Sequence, residues 1–171
     1  MTSHLLTGVR PYGEDATDIL LADGVIAAIG FDAAAQAPAD AVRHDLDGLV
    51  TLPGLVDIHT HLREPGGESA ETVFTGTRAA AVGGYTSVFA MANTTPVQDS
   101  AGVVEQVLRL GREAGWVDVH PVGAVSAGLE GKHLSEMSAM AHSAARVRVF
   151  SDDGKCVADP VLTFAFPYHI F

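Results

Sequence analysis

Apolar positions in the first fifty residues fall in short runs. Between Asp18 and Gly30 the chain reads Asp-Ile-Leu-Leu-Ala-Asp-Gly-Val-Ile-Ala-Ala-Ile-Gly, with two Ile/Leu/Val-rich runs on either side of Asp23-Gly24. Asp-Gly between two such runs predicts a hairpin, because glycine takes up positive φ without steric cost. A small antiparallel β module is therefore expected. An Ala-rich stretch with Pro38 follows, then His44 to Val50, read as one more strand before the turn at Pro53-Gly54.

From Leu55 the periodicity changes. Leu55 to His61 begins as an apolar run, while Thr72 to Val82 carries Val73, Phe74, Thr77, Ala80 and Ala81 at helical spacing and stops at Gly83-Gly84. Thr86 to Ala90 is a second short strand. Asp99 or Ser100 can cap a helix running to Gly115, whose Val103, Val104, Val107, Leu108 and Leu110 form one stripe. Val117 to Val125 and Val147 to Phe150 supply a third and a fourth strand, with a helix around Leu134 to His142 between them. Strand and helix in alternation imply right-handed βαβ units and a parallel sheet, hence an α/β fold. Four strands do not decide between an open sheet and a barrel.

Composition narrows the partners. With 47% apolar residues in 171, the chain can bury a core, and 18% charged residues keep it away from the signature of disorder. Lys+Arg 10 against Asp+Glu 21 gives a net charge of -11, which repels phosphate backbones and anionic lipids, so neither nucleic acid nor membrane is expected as a partner. Cys156, the single cysteine, excludes an internal disulfide and fits a reducing compartment. No leader-like or membrane-length apolar run is visible, so a cytoplasmic protein is expected.

The sharpest local chemistry is Asp57-Ile58-His59-Thr60-His61 at the end of the first strand of the second region. Side chains at i and i+2 of a strand share a face, so His59 and His61 present two imidazoles at a separation suited to one metal ion. The C-terminal ends of parallel strands are also where α/β folds build their sites. Taken alone, such a pair is more simply two solvated side chains. Asp57 lies deeper and is read as supporting rather than ligating. Phe150-Ser151-Asp152-Asp153-Gly154 could add an oxygen ligand, although Asp-Asp-Gly is also ordinary turn chemistry. Arg63, two residues past His61, could clamp a carboxylate through parallel hydrogen bonds, and Asn93 could add an amide donor. A surface arginine and a turn asparagine compete with that reading. The remaining histidines, among them His4 and His44, stand alone, and His120 is read as structural.

Several of these motifs together resemble the amidohydrolase superfamily. Pro53-Gly54-Leu55-Val56-Asp57-Ile58-His59-Thr60-His61 looks like its opening, and Leu62-Arg63-Glu64-Pro65-Gly66 is similar to the dihydroorotases in particular. Gly83-Gly84-Tyr85-Thr86-Ser87, Met91-Ala92-Asn93-Thr94 and Phe150-Ser151-Asp152-Asp153-Gly154 fit the same family, with Ala92 where many relatives have proline. The resemblance runs from roughly residue 20 to 162. It implies a partial TIM-type (β/α) barrel preceded by part of a small β-sandwich: 1–53 as the sandwich part, 54–162 as the first four βα units, and 163–171 as a tail unlike the family.

It also implies a site with two zinc ions that interconverts dihydroorotate and N-carbamoyl-aspartate in pyrimidine synthesis. By resemblance His59 and His61 would hold the first zinc and Asp153 would bridge both. His61, Arg63 and Asn93 would meet the substrate, with Arg63 and Asn93 on its carboxylate. The small molecule is the implied partner, with a homo-oligomer or a carbamoyltransferase possible in the full-length family. Hydantoinases and allantoinases rank second, because their substrates lack the ring carboxylate that Arg63 would read.

The family takes two further histidine ligands and a proton-shuttling aspartate from later strands, and a complete barrel needs about 250 residues. None of the catalytic residues proper is therefore expected here, and the shuttle aspartate is expected beyond residue 171. Two outcomes follow: the front part of a dihydroorotase, or a non-catalytic dihydroorotase-like scaffold. The 171-residue chain is expected to be inactive by itself.

Overall fold

The structure, a computed structural model, describes residues 2–165. Residues 166–171, most of the expected tail and with it His169, lie outside the described residues. Contacts divide the chain into two compact units, Met1–Pro53 and Gly54–Phe171.

The first unit is a five-stranded sheet of order β3-β2-β1-β4, with β5 also pairing β1. Its strands are β1 (His4–Pro11), β2 (Thr17–Ala22), β3 (Val25–Ile29), β4 (Val42–Asp45) and β5 (Val50–Thr51), with a short helix α1 (Ala33–Gln36) after β3. The expected hairpin is β2-β3, and its turn places Asp23 at φ 53° and Gly24 at φ 78°, both positive as a two-residue hairpin turn requires. Three features differ from the sequence reading. The central strand is β1, whose pattern is broken by Gly8 (φ 70°), the site of a bulge between Leu6 and Val9. The module is not wholly antiparallel, since β4 and β5 both run parallel to β1. The strand expected over His44 to Val50 is split, because Leu49 N–H turns back to the Leu46 carbonyl at 3.0 Å. Leu5, Leu20 and Ala33 are the buried centre, with Ala28, Ala34 and Ala37 against them. His4 and His44, expected to stand alone, stack and approach within 3.0 Å through Nδ1 and Nε2.

The second unit is built of strand-helix repeats on a parallel sheet of order β6-β7-β8. The elements are β6 (Leu55–Thr60), α2 (Val73–Val82), β7 (Tyr85–Ala90), α3 (Ala101–Ala114), β8 (Asp118–Pro121), a 3-10 turn (Ala127–Leu129), α4 (Met137–His142) and α5 (Pro160–Ala165). Leu62, Val73, Val88, Ala90, Val107 and Val119 form the core between sheet and helices, and Val104, Met137, Met140 and Val147 form a second cluster. Helix α2 begins where Thr72 and Thr75 satisfy each other's backbone N–H groups in a reciprocal cap, at 3.1 and 3.0 Å. Replacing Thr72 by alanine is expected to cost about 1 kcal/mol, read as a lower urea midpoint with unchanged slope. At α3, Ser100 occupies the cap position but makes no side-chain cap bond, and the Asp99 carboxylate instead accepts from Gly128 N–H at 2.9 Å.

The fourth expected strand, Val147 to Phe150, is reduced to a parallel bridge between Gly123 and Phe150. The physical reason is local competition. Val147 N–H returns to Met140 O, and the Arg148 guanidinium donates to the carbonyls of Ala141 and Val147, so this backbone is tied to α4. No helix among the described residues is long and apolar enough to cross a membrane.

Candidate metal centre

Strand β6 ends at Thr60, whose hydroxyl donates to Phe89 O at 2.9 Å and whose carbonyl accepts from Met91 N–H at 2.9 Å. These bonds lock the C-terminal ends of β6 and β7 together. His59 is on the strand and His61 just past it, with ring centroids 5.2 Å apart. The Asp57 carboxylate accepts from His59 N–H at 3.0 Å, so it supports the histidine's backbone.

The two acids after Phe150 part company. Asp152 is 5% exposed and accepts from Val125 N–H, Ser126 N–H and the Ser126 hydroxyl, an anchor for the loop after β8. Asp153 takes a left-handed backbone (φ 54°), its N–H held by Ser151 Oγ at 3.0 Å. That reversal of backbone direction separates two adjacent carboxylates. One oxygen of Asp153 lies 2.9 Å from His59 Nε2, and the other accepts from Asn93 Nδ2 at 2.9 Å. Asn93 Oδ1 meets His61 Nδ1 at 3.0 Å. One ligand atom from each of His59, His61 and Asp153 lies within 4.8 Å of the others, the one such group among the described residues. Ligand atoms around a zinc ion at about 2.1 Å in tetrahedral geometry are roughly 3.4 Å apart. The donor set, two imidazoles and one carboxylate, therefore fits a borderline divalent ion.

Asn93 joins His61 to Asp153 through its two amide atoms. Arg63 is exposed, and its guanidinium makes no hydrogen bond or ion pair among the described residues. Its backbone is left-handed at φ 62°, unusual for a long side chain and a feature that concentrates at sites. The Arg63 loop is pinned to the Asn93 loop where Thr95 N–H donates to Pro65 O at 2.9 Å.

The sequence reading did not single out Glu64 or Gln98. Glu64 caps α2, its carboxylate accepting from Val73 N–H at 2.8 Å. Gln98 is fully buried; its amide donates to Met91 O at 2.7 Å, and its backbone joins Ala92 O and Ala124 N–H, tying together the strand ends behind Asn93. A polar residue on the Val97-Gln98-Asp99 turn gives no periodic signal that would reveal its burial. In the Arg63 loop, backbone N–H groups of Gly66 and Glu68 hold the Glu68 carboxyl below the usual carboxylate range.

A family model described as Dihydro-orotase-like matches residues 48–165. The chain belongs to the dihydroorotase-like family. It is 62% identical over 158 residues to the dihydroorotase of Leifsonia xyli subsp. xyli, covering 92% of this chain and 35% of that protein. The dihydroorotases of Streptomyces coelicolor and Mycobacterium tuberculosis are 59% and 58% identical, over 95% and 94% of this chain and 37% of each relative. The chain thus spans about a third of the length of the curated relatives it matches.

Among solved structures, an L-hydantoinase (dihydropyrimidinase) from Arthrobacter aurescens superposes with a TM-score of 0.62 at 25% identity, over 75% of this chain and 29% of that one. A dihydropyrimidinase from Brevibacillus agri gives 0.52 at 28% identity, over 73% and 28%. The α/β character of the second unit agrees with these relatives. In this family member, Asp153, Asn93, His59 and His61 come together from two loops and a strand end, while Arg63 stands beside them in sequence without a side-chain partner among the described residues.

Proposed function

We propose that this chain is the part of a dihydroorotase that holds the first metal and reads the substrate, within a zinc-dependent enzyme interconverting dihydroorotate and N-carbamoyl-aspartate. The observation that carries this reading is the convergence of His59, His61 and Asp153 from the end of β6 and from the turn after the Gly123–Phe150 bridge, with Asn93 bonded to two of them. Architecturally, residues 54–162 are the first βα units of a TIM-type barrel and residues 1–53 part of a β-sandwich.

His59, His61 and Asp153 would hold zinc, with Asp153 as the carboxylate that a second ion would share. Bound there, zinc lowers the pKa of a coordinated water and polarises the amide carbonyl under attack. Asp57 keeps the His59 backbone in place for that role. Arg63, without another bond among the described residues, would grip the substrate carboxylate in a charge-assisted pair, and Asn93, whose Nδ2 carries a second N–H besides the one given to Asp153, would donate it to the same group. Hydantoinase-type chemistry is the second reading, supported by the Arthrobacter aurescens superposition; an idle arginine at the site counts against it.

A decisive experiment replaces the matching third of the Streptomyces coelicolor dihydroorotase with this chain. The chimera is expected to form dihydroorotate from N-carbamoyl-aspartate. Arg63→Met should raise KM for dihydroorotate on the order of 10- to 100-fold, the worth of a charged hydrogen bond. A folded, zinc-loaded chimera that opens hydantoins but not dihydroorotate would favour the second reading. The 171-residue chain alone is expected to show no ring closure, since one three-ligand group is all that the described residues offer. Zinc-dependent turnover by that chain, abolished in His61→Ala, would overturn this.

A further inference from the structure

A concavity lies toward the opposite ends of the strands from the metal centre. A cleft of about 730 Å³ opens between the end of α3, the start of β8 and residues 144–146. Arg112, from the last turn of α3, and Arg146, from the segment after α4, both line it, together with Trp116 and Tyr85. Its other titratable groups are Asp118 and His120.

Two features set this cleft apart. Neither Arg112 nor Arg146 makes a side-chain hydrogen bond or ion pair among the described residues, whereas nearby Arg109 pairs with Glu113 at 2.9 Å and Arg148 is bonded to backbone carbonyls. The carboxylates near these two guanidinium groups are Asp118, in the lining, and Glu105, which accepts from Ala144 N–H at 2.9 Å, so both arginines stay without a direct partner although acidic groups lie close by. Arg112 at a helix C-terminus complements the helix dipole, but Arg146 lies outside any helix and is held at φ 46°. Glycine or asparagine would occupy that backbone more cheaply. Trp116, 47% exposed, touches the Phe74 ring edge-on with centroids 6.1 Å apart, and its exposed surface forms an apolar wall beside the charges.

We propose that this cleft binds a phosphorylated small molecule with a flat ring, of the nucleoside monophosphate class. Arg112 and Arg146 hold the phosphate and Trp116 lies against the ring. Planar guanidinium groups match phosphate oxygens in paired hydrogen bonds, and an indole stacks on any base. Strand β7 runs from Tyr85, in the cleft, to Ala90, just before the metal-centre loop, a span of roughly 16 Å at about 3.3 Å per residue. The occupant is therefore an accessory ligand and not the molecule that reacts.

Trp116 is the only tryptophan, so intrinsic fluorescence of the 171-residue chain reports on the cleft directly. Titration with uridine or adenosine monophosphate should give a saturable fluorescence change, at least tenfold tighter than with the unphosphorylated nucleosides. Arg112→Met and Arg146→Met, both at exposed positions, should each weaken nucleotide binding about tenfold or more, while Arg78→Met on α2 leaves it unchanged. Calorimetry on Trp116→Phe should retain phosphate-dependent binding with lower affinity. No saturable change at millimolar nucleotide, or equal affinity in the two arginine variants and the parent, would overturn the proposal. Metal binding at His59 and His61 is measured independently, so failure here and failure of the dihydroorotase reading are distinguishable.

Discussion

Alanine at Asp152 is expected to destabilise the second unit by about 3 to 5 kcal/mol, while asparagine at the adjacent Asp153 leaves the fold intact and weakens the metal centre. Asp152 is buried and accepts from two backbone N–H groups and a hydroxyl on the segment Val125-Ser126. Removing the carboxylate strands three donors, the two on Ser126 buried and the one on Val125 half-buried. Each unsatisfied donor costs about 1 to 3 kcal/mol, and with partial relaxation the loss is about 3 to 5 kcal/mol. Against a domain stability of about 5 to 15 kcal/mol, that is about a fifth of the total at the least. The measurement is a urea midpoint, and a parental midpoint in Asp152→Ala would refute the account of this anchor.

Asp153, by contrast, gives its oxygens to His59 and Asn93 at the surface of the site. Asp153→Asn keeps the size and can still accept a hydrogen bond, so its midpoint should move by less than about 1 kcal/mol. Its zinc affinity should fall on the order of 100-fold or more, because one of three ligands loses its charge. Titration with a chromophoric zinc competitor reads this directly. Unchanged affinity in Asp153→Asn would remove Asp153 from the ligand set.

The second large effect is expected at Gly66. This residue sits at φ 93°, and a Cβ there would come within 2.3 Å of Thr95 O and 2.6 Å of Thr95 Cβ. The obstacle is backbone, so it cannot swing aside as a flexible side chain would. Left-handed strain alone costs an alanine about 1 to 2 kcal/mol, and the collision must add to it, for a total of about 3 kcal/mol. The consequence extends beyond stability. Gly66 and Thr95 lie on the loops that carry Arg63 and Asn93, joined by the Thr95 N–H to Pro65 O bond. Gly66→Ala should therefore weaken both zinc and substrate binding in the chimera. Gly84→Ala is the control, because Gly84 has φ 85° but nothing within 4 Å of an added Cβ. It should show the strain cost without the loss of binding. Equal binding defects in both variants would mean that the loop contact is not what positions the site.

Much of this was legible along the chain. The Asp23-Gly24 hairpin, the stop of α2 at Gly83-Gly84 and the apolar stripe of α3 each rest on local rules of backbone conformation and periodicity, and such rules act within a few residues. The family motifs around His59 and Asp153 were legible for the same reason. Where distant backbone competed, local signals failed. Strand β1 is central although Gly8 and Pro11 interrupt its pattern, because pairing with β2, β4 and β5 supplies what propensity does not. Val147 to Phe150 looks like a strand, yet its first N–H, at Val147, turns to Met140 O of α4, and the Arg148 side chain is tied to Ala141 O.

By itself the sequence determined the α/β alternation, the helix and turn boundaries, and which residue types stand at strand ends. Which of two adjacent acids is structural, and which turns toward the histidines, was decided by the tertiary structure. Asp152 and Asp153 are chemically identical, and only the partners brought from Val125, Ser126, His59 and Asn93 tell them apart. The same holds for Arg146, Trp116 and Gln98, whose surroundings come from elements far away in the chain. A side chain's role depends on its desolvation and its bonding partners, and folding assigns both from residues that no local window contains.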